Sequence, residues 1–244
     1  MPRSDGLTLA AQVGRVPSLR VQLDREQELR FQRLMDTIIL LDMHQHVQVL
    51  TEPMDDLFEY FRSREYAWGY DAARAGGWST VTTANGLSTI GFTTDLSLVD
   101  FSELVTEIAL MLADLAHQGE AVVKIGRADD ILAAKQRGAL GFLPTVEHLS
   151  MGAHLYNIDV LYGLGVRLAG LTYARKTYVG DGQTERADGG LSDLGIAAIQ
   201  RMNDLGMIVD LSHAGARTAL EAIEHSRVPV IYAASARQLS RRCG

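Results

Sequence analysis

Short apolar stretches recur along this chain, separated by longer segments in which apolar positions fall three and four apart. The stretches at 37–42, 78–83, 139–146, 166–172, 206–211 and 228–232 predict strands. The intervening segments at 53–65, 102–118, 151–163, 192–205 and 215–225 carry helical spacing. Residues 24–35 read as a charged amphipathic helix ahead of the first strand, and residues 1–23 as a loosely ordered lead-in. Val122-Val123-Lys124-Ile125, followed by a helix at 129–137, reads as an additional βα element. Gly138, Gly165 and Gly206 each stand between a helix and the next strand, where a left-handed cap is wanted.

Strands alternating with helices of this length predict βαβ units and a parallel sheet in one domain spanning 1–244. The fold class is α/β, a (β/α)8 TIM-barrel type with about six of its eight strands present. The expectation is therefore an open barrel, completed from elsewhere or shortened.

Composition narrows the function. Hydrophobic content of 47% and charge of 22% are ordinary for a globular protein, and a net charge of −7 disfavours nucleic acid as a partner. No apolar run approaches the ~18 residues of a membrane span. The single cysteine, Cys243, leaves no intrachain disulfide and favours a reducing compartment, so a cytoplasmic location is expected. A homo-oligomer is compatible with all of this.

Candidate chemistry sits where the apolar stretches end. Thr37-Ile38-Ile39-Leu40-Leu41-Asp42 runs into His44-Gln45-His46, and residues two apart on a strand face the same side. Gly141-Phe142-Leu143-Pro144-Thr145-Val146 stops at Glu147, and Met207-Ile208-Val209-Asp210-Leu211-Ser212 at His213. Each residue alone has an ordinary reading as a strand-end polar group. Three strands ending in imidazole or carboxylate together suggest a metal centre at the carboxyl ends of a barrel. His148 reads either as a partner behind the ligands or as a surface residue. His117, His154 and His225 fall on predicted helices and read as surface or packing residues. The polar loop 180–190 follows the fourth strand, on the presumed active-site face.

These segments together resemble the membrane (renal) dipeptidase family of zinc metallopeptidases, within the amidohydrolase-type barrels. The matching stretches are Asp42-Met43-His44-Gln45-His46, Gly141 to Glu147, Gly165 to Tyr173, Gly190 to Gly195, Met202 to His213 and Pro229-Val230-Ile231-Tyr232. The resemblance implies a binuclear zinc site acting on a small peptide substrate. His44 and His46 would hold one ion, Glu147 would bridge both as the catalytic carboxylate, and His213 would hold the other with a histidine from the next strand. Many relatives carry Asp at the place of His46, and a bacterial branch carries the His-x-His form. Tyr173 stands where many relatives place a histidine that polarises the scissile carbonyl. Arg242 matches an arginine that receives the substrate carboxylate, a task suited to the guanidinium fork.

Two departures matter. After Tyr232 the family's Ser-His-Ser or Ser-His-Asn is replaced by Ala233-Ala234, which removes the second ion's other histidine. The family's last strands, with an aspartate near the substrate amine, are also missing. The implied function is a zinc-dependent dipeptidase. The alternatives are another amidohydrolase-type hydrolase of small amides and a shortened, non-catalytic homologue.

Overall fold

The structure is a computed structural model, and it describes residues 6–16, 21–63, 66–86 and 100–234. Its helices are α1 (Arg25–Thr37), α2 (Leu57–Ser63), α3 (Tyr70–Ala75), α4 (Phe101–Ala116), α5 (Ala128–Gln136), α6 (Asn157–Leu164), α7 (Asp193–Leu205) and α8 (Ala216–His225). The strands are β1 (Leu41–Asp42), β2 (Thr80–Thr82), β3 (Val122–Lys124), β4 (Leu140–Leu143), β5 (Thr145–Val146), β6 (Leu168–Gly170) and β7 (Ile208–Asp210). All strand pairings are parallel, in a four-stranded sheet ordered β1-β2-β4-β3 and a three-stranded sheet ordered β5-β6-β7.

One segment joins the two sheets. β4 and β5 are halves of the predicted strand at 139–146, split at Pro144, which has no N–H to donate to a ladder. Before the proline the segment pairs with β2 and β3. After it, Thr145 pairs with Leu168, and Val146 with Ala169 on one side and Asn85 on the other. The barrel succession therefore runs β1, β2, β4–β5, β6, β7, with Ile231 bridging in parallel to Asp210 beyond it. This is the parallel α/β barrel arrangement expected from the sequence. The array is not closed among the described residues, and β3 is the expected additional element.

Several predicted boundaries move. α1 continues to Thr37, whose hydroxyl donates to the Arg33 carbonyl at 2.8 Å, so only Leu41–Asp42 of the stretch at 37–42 is strand. The stretch at 228–232 contributes a single bridge, and the helix expected at 151–163 begins at Asn157. The helix expected at 53–65 is a 3-10 turn (Met54–Asp56) followed by α2. The six-residue α3 is an addition that no periodicity announced. The glycine caps hold: Gly138, Gly165 and Gly206 have φ of 69°, 105° and 75°.

Helix burial follows spacing. In α4, Leu104, Ile108, Met111 and Leu115 point inward at helical intervals and meet Phe142, Ile158, Leu161, Ile199, Met202 and Val209 in one core. The helices beside the two ends of the array are less covered. α1 has no buried residue, with Leu29, Phe31 and Leu34 exposed, and α8 exposes Leu220 and Ile223.

β6 must pass close to the end of β5. A Cβ on Gly170 would lie 2.1 Å from the carbonyl oxygen of Glu147, so no larger residue fits without moving that backbone. Gly170→Ala is expected to cost about 1–3 kcal/mol of stability through overpacking and to weaken divalent-cation binding, because the displaced residue is Glu147. Denaturant unfolding and a chelator competition check both effects, and an alanine variant matching the parent in each would refute the account.

Candidate metal centre

His44, Glu147 and His213 follow β1, β5 and β7 at the carboxyl ends of the array, with His46 just beyond. The route of the first pair differs from the sequence expectation. Strand β1 ends at Asp42, whose carboxylate accepts from the His44 backbone N–H at 3.0 Å, so the two histidines lie on a turned segment. Both still reach Glu147. His44 Nε2 is 3.6 Å from Oε1, His46 Nε2 is 3.4 Å from Oε2, and His213 Nε2 is 3.4 Å from Oε1. The His44 and His46 rings meet edge to face with centroids 5.1 Å apart.

These distances suit a cation. Ligand atoms each about 2.1 Å from one zinc ion stand roughly 3–4 Å from one another. His44, His46 and Glu147 offer ligand atoms that all lie within 4.8 Å of one another. Glu147 Oε2 is buried and accepts no hydrogen bond. An anionic oxygen left without a hydrogen bond in the interior is costly unless a positive charge meets it. The residues present therefore fit a metal ion.

Electrostatics agree. Burial pushes the Glu147 carboxyl up, but a hydrogen bond from His213 and the charges of His46, His44 and His213 outweigh it and hold the group below its usual value. Burial lowers His46, against the pull of Glu147. His148 is fully buried, which rules out its surface reading. Burial drives it down to about 4, and neither ring nitrogen has a hydrogen-bond partner. His117, His154 and His225 are exposed, and His154 lies in the loop ahead of α6, stacked on Tyr156.

Tyr173 reaches the site. Its ring lies 4.5 Å from that of His213 and 5.9 Å from that of His148, and burial followed by the Glu147 charge raises its phenol above the usual value. It stays a hydrogen-bond donor across the neutral range. Arg242 lies outside the described residues.

Two groups escaped the sequence reading. Glu107 of α4 is buried and accepts from Gly86 N at 2.9 Å, Asn85 Nδ2 at 3.2 Å and Gln48 Nε2 at 3.4 Å. Asn85 in turn accepts the Glu147 backbone N–H at 2.9 Å and donates its own to the Thr145 carbonyl at 2.9 Å, so this network holds the Glu147 backbone from behind. Gln183, in the loop 180–190, meets His213 Nδ1 through its side-chain amide nitrogen at 3.0 Å. Only the placement of that loop on the active-site face was legible beforehand.

A parallel βα array with a His–Glu cluster at its carboxyl ends defines an α/β-barrel protein with a candidate metal centre. The chain belongs to the membrane dipeptidase family (peptidase family M19), whose profile matches residues 29–242. It is similar to dipeptidase tcpJ of Claviceps purpurea, 29% identical over 140 residues that cover 56% of this chain and 31% of that protein. Among solved structures it is similar to the probable dipeptidase PvdM from Pseudomonas aeruginosa, with TM-score 0.68, 18% identity, and coverage of 86% of this chain and 56% of that one. A metallo peptidase from Rhodobacter sphaeroides liganded with a phosphinate mimic of the dipeptide L-Ala-D-Ala shares the fold at TM-score 0.57 and 17% identity, covering 84% and 60%. The chain thus spans about a third of the curated relative and somewhat over half of these two structures. No helix among the described residues is long and apolar enough to cross a membrane.

Glu147→Gln keeps the shape of the side chain and removes the charge that the imidazoles surround. Its affinity for zinc, read by chelator competition, is expected to fall by more than the roughly 10- to 100-fold typical of changes behind the ligands. A smaller loss would mean that Glu147 is not a ligand.

Proposed function

We propose that this chain is a zinc-dependent dipeptidase that hydrolyses the peptide bond of small dipeptides. The observation that carries the reading is the convergence of His44, His46 and His213 on the buried carboxylate of Glu147. Family membership and the dipeptide mimic bound to a protein of the same fold support the substrate class.

Zinc, when bound, supplies a Lewis acid and makes a water nucleophile available near neutral pH. His44, His46 and Glu147 would hold the ion, two imidazoles and one carboxylate being a usual catalytic donor set. Glu147, dry and braced through Asn85, holds its charge in a fixed direction, which is what electrostatic preorganisation requires. Tyr173 would donate its phenolic hydrogen to the substrate carbonyl, and Arg242 would receive the substrate carboxylate. Among the described residues a second ion would have only Glu147 and His213, fewer than the three protein ligands usual for catalytic zinc.

Two measurements test this. Dialysed protein is expected to retain about one zinc per chain, and two tightly held equivalents would contradict the ligand count. The zinc-loaded chain is expected to cleave L-Ala-D-Ala and to lose that activity on chelation, while a C-terminally amidated dipeptide resists. Equal cleavage of the amide would favour a general amidase. One retained zinc without turnover of either substrate would favour a non-catalytic homologue.

A further inference from the structure

Ahead of α1, residues 7–12 run alongside the segment that follows His46. Leu9 bridges Thr51 antiparallel, Ala10 N donates to the Leu50 carbonyl at 2.9 Å, and Glu52 N donates to the Thr8 carbonyl at 2.9 Å. Leu7 and Leu9 pack against the core while Thr8 between them is exposed, the alternation of a strand with one covered face. On its other edge the same segment meets residues 66–69. Val49 N donates to the Ala67 carbonyl at 2.8 Å, Gly69 N to the Val47 carbonyl at 2.6 Å, and Gln48 bridges Trp68. Residues 47–51 are thus the middle of an antiparallel ribbon that stands apart from the parallel barrel strands.

Gln12 closes the far end of the outer strand. One side-chain atom lies 3.0 Å from Asp71 N and 3.2 Å from Ala72 N, in the first turn of α3. Both are backbone N–H donors, so the atom that faces them is the amide oxygen. It satisfies two donors that a helix start leaves without partners, and the cap residue, Gly69, has no side chain to do so.

The ribbon borders the metal cluster directly. His44 and His46 lie between β1, which ends at Asp42, and residue 47, where the ribbon begins. Besides the contacts with Glu147, residues 43–46 carry one hydrogen bond among the described residues, from His44 N–H to the Asp42 carboxylate. Their course is therefore set from the two ends, and the end beside His46 is the ribbon. The family profile begins at residue 29, so the outer strand of that ribbon lies outside the matched region.

We propose that residues 7–12 are a tether that positions His46 for the cation, with Gln12 as a positioning residue that latches it to α3. The proposal rests on the metal reading above for its purpose, but the tether is measurable without any metal.

The test is hydrogen exchange, with chelator competition for zinc, on the full chain and three variants. Ala10→Pro removes the N–H given to Leu50, Gln12→Met removes the acceptor at α3, and Gln12→Glu keeps an oxygen there. In the metal-free chain the first two are expected to speed exchange at 47–52 about fivefold, the worth of one hydrogen bond, and to leave β7 unchanged. Their zinc affinity is expected to fall roughly 10-fold, as for other groups behind metal ligands, and Gln12→Glu to retain both parent values. Unchanged zinc affinity in a folded Ala10→Pro or Gln12→Met chain would overturn the proposal, as would failure of Gln12→Glu to match the parent. Exchange that quickens equally in β7 would also overturn it, because that marks a general loss of stability. Rapid exchange of the Ala10 and Glu52 amides in the parent would do so even if neither variant folded. If the parent takes up no zinc, the functional reading fails, while the metal-free exchange still decides whether the tether holds the segment.

Discussion

A carboxylate has been taken out of water at the centre of this protein, and the surrounding structure is arranged to make that tolerable. An isolated buried anion would cost several kcal/mol. Glu147 is met by three imidazoles in front and, through Asn85, by the Gln48–Asn85–Glu107 network behind. The same requirement explains the glycine at 170, because β6 must pass against the Glu147 carbonyl to close the wall behind the site. Loss of the carboxylate would leave the histidines without a common target.

The partner exchange at Pro144 gives the site its reach. His44 enters from the four-stranded sheet, whereas Glu147 and His213 leave the three-stranded one. Their meeting depends on the short segment in which one strand changes neighbours. Reciprocal bonds between Thr83 and Thr145 stitch that junction: Thr145 N donates to the Thr83 hydroxyl at 3.0 Å, and Thr83 N to the Thr145 hydroxyl at 3.2 Å.

Much of this was legible in the sequence because apolar strands in a parallel array read as continuous runs, and the residue that ends each run faces the site. Glu147 and His213 were singled out that way, and the structure brings His213 Nε2 within 3.4 Å of Glu147 Oε1. His44 and His46 were found through an argument that only partly holds, since their segment turns at Asp42 and is not strand. α3 went unseen because six residues are too few to show a period. Gln183 was invisible for a different reason: its partner lies 30 positions away, and nothing in a polar loop announces a contact made only after folding. The strand expected at 228–232 shrinks to one bridge because only Ile231 finds a backbone partner.

His213 occupies a left-handed backbone conformation, with φ of 62°, that a residue with a side chain adopts only against steric resistance. Such positions cost on the order of 1–3 kcal/mol and persist where the surroundings impose them. Here the imposing contacts are the turn from Leu211 to Ala214 and the strap from Gln183. Function and folding therefore pull this position in opposite directions. A chain freed from the need for an imidazole would gain stability by drifting to glycine or asparagine at 213, so a tougher protein at this site would be a sign of lost chemistry.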